Sequence, residues 1–112
     1  MYYIYMIRCE DNSIYTGITT DLKRRMNEHF SKDEKCAKYT SSHNVKKIEK
    51  VWETSNRSLA SKLEYQIKKL SKSNKEDLIS NKSKLNDLFV EKLECDMYKV
   101  YDFKKDFKMN IV

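Results

Sequence analysis

YYIYMIRCEDNSIYTGITTDLKRRMNEHF, residues 2–30, changes pattern twice, and the two changes set the architecture. Residues 2–8, YYIYMIR, are aromatic and aliphatic, and residues 14–18, IYTGI, form a second short apolar run after the polar turn 9–13. Two such runs about a short polar connection predict a β-hairpin. Strand alternation then puts Tyr3, Tyr5 and Ile7 on one face and Tyr2, Ile4 and Met6 on the other. From Thr19 the spacing becomes helical: Leu22, Met26 and Phe30 recur four apart, with Thr20 or Asp21 placed to cap the helix. Arg25 and His29 are also four apart, at the edge of that stripe, while Lys23 and Arg24 face solvent.

Outward from this segment the signals weaken and then recover. Residues 31–44 are polar and unpatterned, as in a surface loop. Residues 45–53, VKKIEKVWE, predict a third strand from their position and from the Val51-Trp52 cluster, with Trp52 in the core. Ser58 stands where a cap belongs for SLASKLEYQIKKL, whose Leu59, Leu63, Ile67 and Leu70 share one helical face. Glu64 lies roughly 100° round from that stripe, a boundary position. Residues 74–94 give a further helical pattern, and the aromatic tail 95–112 matches neither period. The predicted fold class is α/β (α+β): a small three-stranded antiparallel sheet flanked by helices, with a C-terminal helical and aromatic extension. Residues 1–80 form the domain, and 81–112 are expected to pack on it.

Composition narrows the classes without choosing one. The 112 residues fit a single domain. No apolar run approaches the ~20 residues of a membrane span, so a cytoplasmic protein is expected. The net charge of +6 favours a polyanion, although 17 acidic residues are interspersed with 23 basic ones and a lysine-rich solvated surface would look the same. Cys9, Cys36 and Cys95 have no metal-ligand spacing, nor do His29 and His43, so free thiols are expected, with Cys9 packed in its strand. The chain has one glycine and no proline. That glycine, Gly17, therefore marks a positive φ or a close backbone approach.

The order Tyr3-Ile4-Tyr5, then Tyr15-Thr16-Gly17, then Arg25, His29 and a distant helical Glu64 resembles the GIY-YIG nuclease family. The first motif carries Tyr3 in place of its glycine, and the second Thr16 in place of its isoleucine. The resemblance covers about residues 1–80. With Lys38-Tyr39-Thr40 it is closest to the small stand-alone bacterial members, relatives of the excision-repair incision nuclease and the structure-specific junction nucleases. An asparagine used by some members near the end of the core has no counterpart that can be assigned.

The resemblance implies a metal-dependent endonuclease acting on DNA, on branched, flapped or damaged structures in repair or recombination. Tyr5 would take the proton of the attacking water, and Tyr15 would position the water or the scissile phosphate. Arg25 would grip that phosphate, with His29 beside it as a further catalytic group. Glu64 would hold one Mg²⁺ or Mn²⁺ supporting the leaving 3′ oxygen. Gly17, Lys23, Arg24, Lys38, Tyr39 and His43 make up the implied nucleic-acid contacts, with Lys46, Lys47 and Lys50 as further candidates. Taken singly, each residue has a plainer role: a tyrosine on a half-buried strand, an arginine on a helix surface, a glutamate paired with Lys68 at i+4. The competing reading is a DNA-binding module that keeps the fold but cuts only with a partner protein supplying specificity, or not at all.

Overall fold

The computed structural model describes residues 1–31 and 43–107. Four strands form one antiparallel sheet: β1 (Tyr2–Cys9), β2 (Ile14–Thr19), β3 (Val45–Thr54) and β4 (Lys99–Val100), in the order β2-β1-β3-β4. The described helices are α1 (Leu22–Ser31), α2 (Arg57–Lys68), α3 (Lys72–Ser80) and α4 (Leu85–Phe89). Two 3-10 turns follow, at Cys95–Met97 and Phe103–Asp106.

β1 is an inner strand, buried from Ile4 to Cys9 because both faces of the sheet are covered. On one face Tyr5 and Ile7 pack with Leu22 and Met26 of α1, with Val51, and with Phe103 and Phe107 of the tail. On the other, Ile4 and Met6 pack with Leu63 and Ile67 of α2, with Leu78 of α3 and with Tyr98. Trp52 lies in that second core, as its sequence context predicts. Cys9 is buried in its strand, also as expected. A two-sided sheet accounts for the near-continuous apolar run of β1, since neither face needs polar residues.

The exception is Arg8, buried within that run. Its guanidinium donates to Glu49 at 2.9 Å and, through two bonds of 2.6 Å, to Glu76 on α3, and it also reaches Asn12 in the hairpin turn. Lys72 of α3 donates to the Asn12 carbonyl as well, so α3 is fastened to the turn from two sides. Asn12 takes a positive φ there, in a chain with no other glycine to spend on turns.

Several elements depart from the sequence reading. The sheet has four strands rather than three, because Val100 and Lys99 pair with Trp52 and Glu53 of β3. The helix predicted over 74–94 is two helices, divided where Asn81 adopts φ 66° and closes α3. Helix α2 begins two residues earlier than Ser58 suggested: Asn56 is its cap, accepting the Leu59 N–H at 2.9 Å. Of the two candidate caps for α1, Asp21 is the one whose side chain accepts the Arg24 N–H, at 3.1 Å. No helix among the described residues is long and apolar enough to cross a membrane.

Candidate functional site

The hairpin register places the two tyrosines. Tyr5 faces Gly17 across the β1–β2 ladder, and Ile7 faces Tyr15. Directly opposed residues project to the same side of a sheet, so both phenols lie on the face covered by α1. Gly17 has no positive φ, which leaves close approach as its reason. A Cβ at this position would lie 2.6 Å from Tyr5 Cζ and 3.1 Å from Tyr15 Cε2. Its part is thus to seat the Tyr5 ring against the edge strand.

α1 brings His29 and Arg25 onto the same phenol. His29 is fully buried, and its Nε2 is hydrogen-bonded to Tyr5 Oη at 2.8 Å. The Tyr5, Tyr15 and His29 rings form a closed triangle with centroid separations of 5.5, 5.6 and 6.3 Å. Burial, reinforced by the Arg25 charge, pulls the His29 pKa down to about 4, so the imidazole is neutral near pH 7. Burial likewise pushes the Tyr5 phenol above its ordinary range, and the hydrogen bond from Arg25 opposes that rise only in part. An ordinary strand tyrosine would instead be half exposed and free of such partners.

Arg25 is held by a residue the sequence reading passed over. Glu28 is buried, and its carboxylate accepts from Arg25 Nη1 at 2.7 Å and from Arg24 Nη1 at 3.2 Å. The i,i+3 and i,i+4 spacings were visible in the sequence, but such spacings usually mark solvated pairs. A cleft of about 400 Å³ opens beside this cluster, between Arg24, Arg25, Thr20 and Arg57 at the start of α2. Arg57 is thereby, with Glu28, a second residue of the site that the sequence alone did not single out.

Glu64 is brought in by α2, which packs along β2. Its carboxylate pairs with Lys68 at 3.3 Å, the plain i+4 contact, and it is also close enough to raise the Tyr5 pKa through space. The Lys68 ammonium lies 5.6 Å from the centroid of the Tyr15 ring, so α2 and β2 meet directly at the tyrosine. Tyr5, Tyr15, Gly17, Arg25, His29 and Glu64 are therefore brought together. Arg24 and Lys23 lie on the outward side of α1, Arg24 already paired with Glu28 and Asp21. His43 sits by the hairpin turn, with Nε2 3.6 Å from Asp11. Lys38 and Tyr39 fall outside the described residues.

The acid chemistry of the site bears on metal binding. Among the described residues no three His, Cys, Asp or Glu side chains gather into a closed ligand cage. Glu64 offers one partly exposed carboxylate. That donor set suits a hard divalent ion that takes one carboxylate from protein and completes its shell with water and phosphate oxygens.

Comparison with known proteins adds the following. The family model of the GIY-YIG catalytic domain matches residues 1–77. A UPF0213 protein of Fusobacterium nucleatum is 50% identical over 93 residues, covering 83% of this chain and 87% of its own. A UPF0213 protein of Vibrio cholerae is 37% identical over 92 residues, with 80% and 87% covered. A solution NMR structure of a UPF0213 protein from Bacillus halodurans is 36% identical, covers 84% of this chain and 98% of its own, and superposes with a TM-score of 0.44.

Proposed function

The chain belongs to the GIY-YIG family, a nuclease-type domain, and from that premise we propose that it is a metal-dependent endonuclease hydrolysing phosphodiester bonds in structured DNA. The observation that carries this reading is the buried Tyr5–His29 hydrogen bond beside Arg25. A phenol with a raised pKa is a poor base if it must become a phenolate. A phenol bonded to a neutral imidazole need not. With His29 in the Nδ1-protonated tautomer, Tyr5 passes its proton to Nε2 as it takes one from the attacking water. The oxygen of that water then bonds to phosphorus as the bond to the 3′ oxygen breaks, and the departing oxygen takes up a proton from solvent.

The other residues fit around this step. The scissile phosphate displaces Glu28 from Arg25, whose guanidinium then stabilises the growing negative charge. Phosphate at Arg25 takes over from Glu28 as the anion beside that guanidinium, while burial stays the first cause of the low His29 pKa. Tyr15, next to both rings, positions the water. Glu64 would hold a single Mg²⁺ or Mn²⁺, which would supply Lewis-acid support to the leaving oxygen. Arg24 and Arg57, in the adjoining cleft, contact the flanking phosphates.

A nicking assay on branched and flapped DNA tests this, with Mg²⁺ or Mn²⁺ and with Glu64→Ala and Tyr5→Phe beside the wild type. Divalent-dependent cleavage by the wild type is expected, falling by about 10²-fold or more in Tyr5→Phe, as for loss of a general base. Glu64→Ala is expected to abolish the divalent-dependent cleavage. Tight DNA binding with no cleavage by any of the three would replace the enzyme with the binding module.

A further inference from the structure

The face of the sheet away from the tyrosines carries a second concavity. A cavity of about 500 Å³ lies between β3, β4 and the segment joining α3 to α4. Trp52, Leu78, Leu85, Tyr98 and Val100 give it apolar walls, and Asn81, Ser83 and Asn86 supply polar groups at its rim. Its charged lining residues are Lys50 and Lys84, both cationic. Lys50 is buried, with an ammonium that donates to Asn81 Oδ1 and lies 5.9 Å from the Trp52 ring centroid. Neither contact brings a negative charge. Among the described residues no carboxylate lies within ion-pair distance of the Lys50 or Lys84 ammonium, Asp87 accepting only from the Lys84 backbone N–H.

A buried ammonium without a counter-charge is costly, and a second lysine facing it adds repulsion. The electrostatics agree: burial, and then the charge of Lys84, hold Lys50 below the ordinary lysine range. Small-molecule sites are commonly cavities of ~300–1,000 Å³ with mainly apolar walls and a few convergent polar groups. We propose that this cavity binds a small organic anion, with its acid group between Lys50 and Lys84 and its apolar body against Val100 and the uncovered edges of Trp52 and Tyr98. Apart from Lys50 and Trp52, every residue of the wall lies beyond residue 77, where the match to the catalytic domain ends. The site therefore stands independently of the nuclease reading.

The full ¹⁵N-labelled chain, titrated with adenosine monophosphate as the probe, tests the proposal. Trp52 is the sole tryptophan and gives a single indole N–H signal. Saturable shifts are expected at that indole and at the amides of Ser83, Lys84 and Asn86. Adenosine and inorganic phosphate, each carrying half of the recognised chemistry, should bind at least about tenfold more weakly. Lys84→Gln, at an exposed position, should raise the Kd roughly fivefold without disturbing the core, as for loss of one charge-assisted contact. Lys50→Gln should weaken binding further. The proposal is overturned if these signals do not move, or if shifts are confined to Tyr15 and Arg25. It is equally overturned if adenosine or phosphate alone matches the monophosphate, or if Lys84→Gln binds as the wild type does.

Discussion

Alanine at Gly17 would add one carbon, 2.6 Å from Tyr5 Cζ, against a ring that has backbone behind it and His29 in front. Tyr5 must then move off His29. Gly17→Ala is expected to lose ~1–3 kcal/mol of stability, as overpacked cores do, and to lose DNA cleavage with it. Urea unfolding beside a nicking assay checks both, and a variant as stable and active as wild type would sink the packing account. His29 makes a pH prediction of defined sign. Its pKa is about 4 when folded against an ordinary 6.5, so the unfolded chain binds the extra proton first. The stability it contributes is complete above pH 6.5 and lost as the pH falls toward 4, up to about 3 kcal/mol in all. The urea midpoint of His29→Gln should accordingly fall less steeply with acid than that of wild type across this window. At this scale the sequence was legible where spacing was unusual, as with the two tyrosines and the lone glycine. It did not separate close approach from positive φ at Gly17, because that depends on which residue stands opposite across the ladder. It missed Glu28, whose spacing from Arg25 is that of any surface pair until burial distinguishes it.

Elements are fixed to one another chiefly by apolar packing, and the Arg8 clamp adds a polar link among four of them. It joins β1, β3, α3 and the hairpin turn through one guanidinium. Arg8→Met would leave Glu49 and Glu76 without their shared cation, and should cost ~3 kcal/mol or more, as for breaking one side of a buried pair. Glu76→Gln keeps Glu49 in place and sits at a 37% exposed position, so ~1 kcal/mol is expected. Chemical denaturation of the two variants should rank them in that order, and equal losses would show that the clamp contributes only a surface pair. The helices show where periodicity succeeds and where it stops. Leu59, Leu63 and Ile67 marked the buried face of α2 correctly, yet its start was placed at Ser58 although Asn56 makes the capping bond. The apolar spacing from Leu78 to Leu93 runs on through Asn81, so nothing in the pattern revealed the left-handed residue that ends α3.

For the molecule as a whole, the tail supplies core on both faces of the sheet. Phe103 and Phe107 complete the layer under Tyr5, and Tyr98 packs on the other side, where its hydroxyl donates to the Leu59 carbonyl at 2.6 Å. A chain ending after residue 94 is therefore expected to lose cooperative unfolding and most amide-exchange protection in β1, which hydrogen exchange would show directly. Retained protection would mean that 1–94 folds by itself and that the extension is dispensable. The tail was unreadable from sequence because its aromatics serve two faces in short irregular pieces, which leave no period to detect. The short β4 has one more consequence. It covers only Trp52 and Glu53, so much of the β3 margin has no partner strand among the described residues. Lys46, Lys47 and Glu49 stand along that margin, the same charges that blurred its reading as a strand. A charged, thinly paired border is a poor template for a second chain, so crowded solutions of this protein should resist edge-to-edge fibril growth.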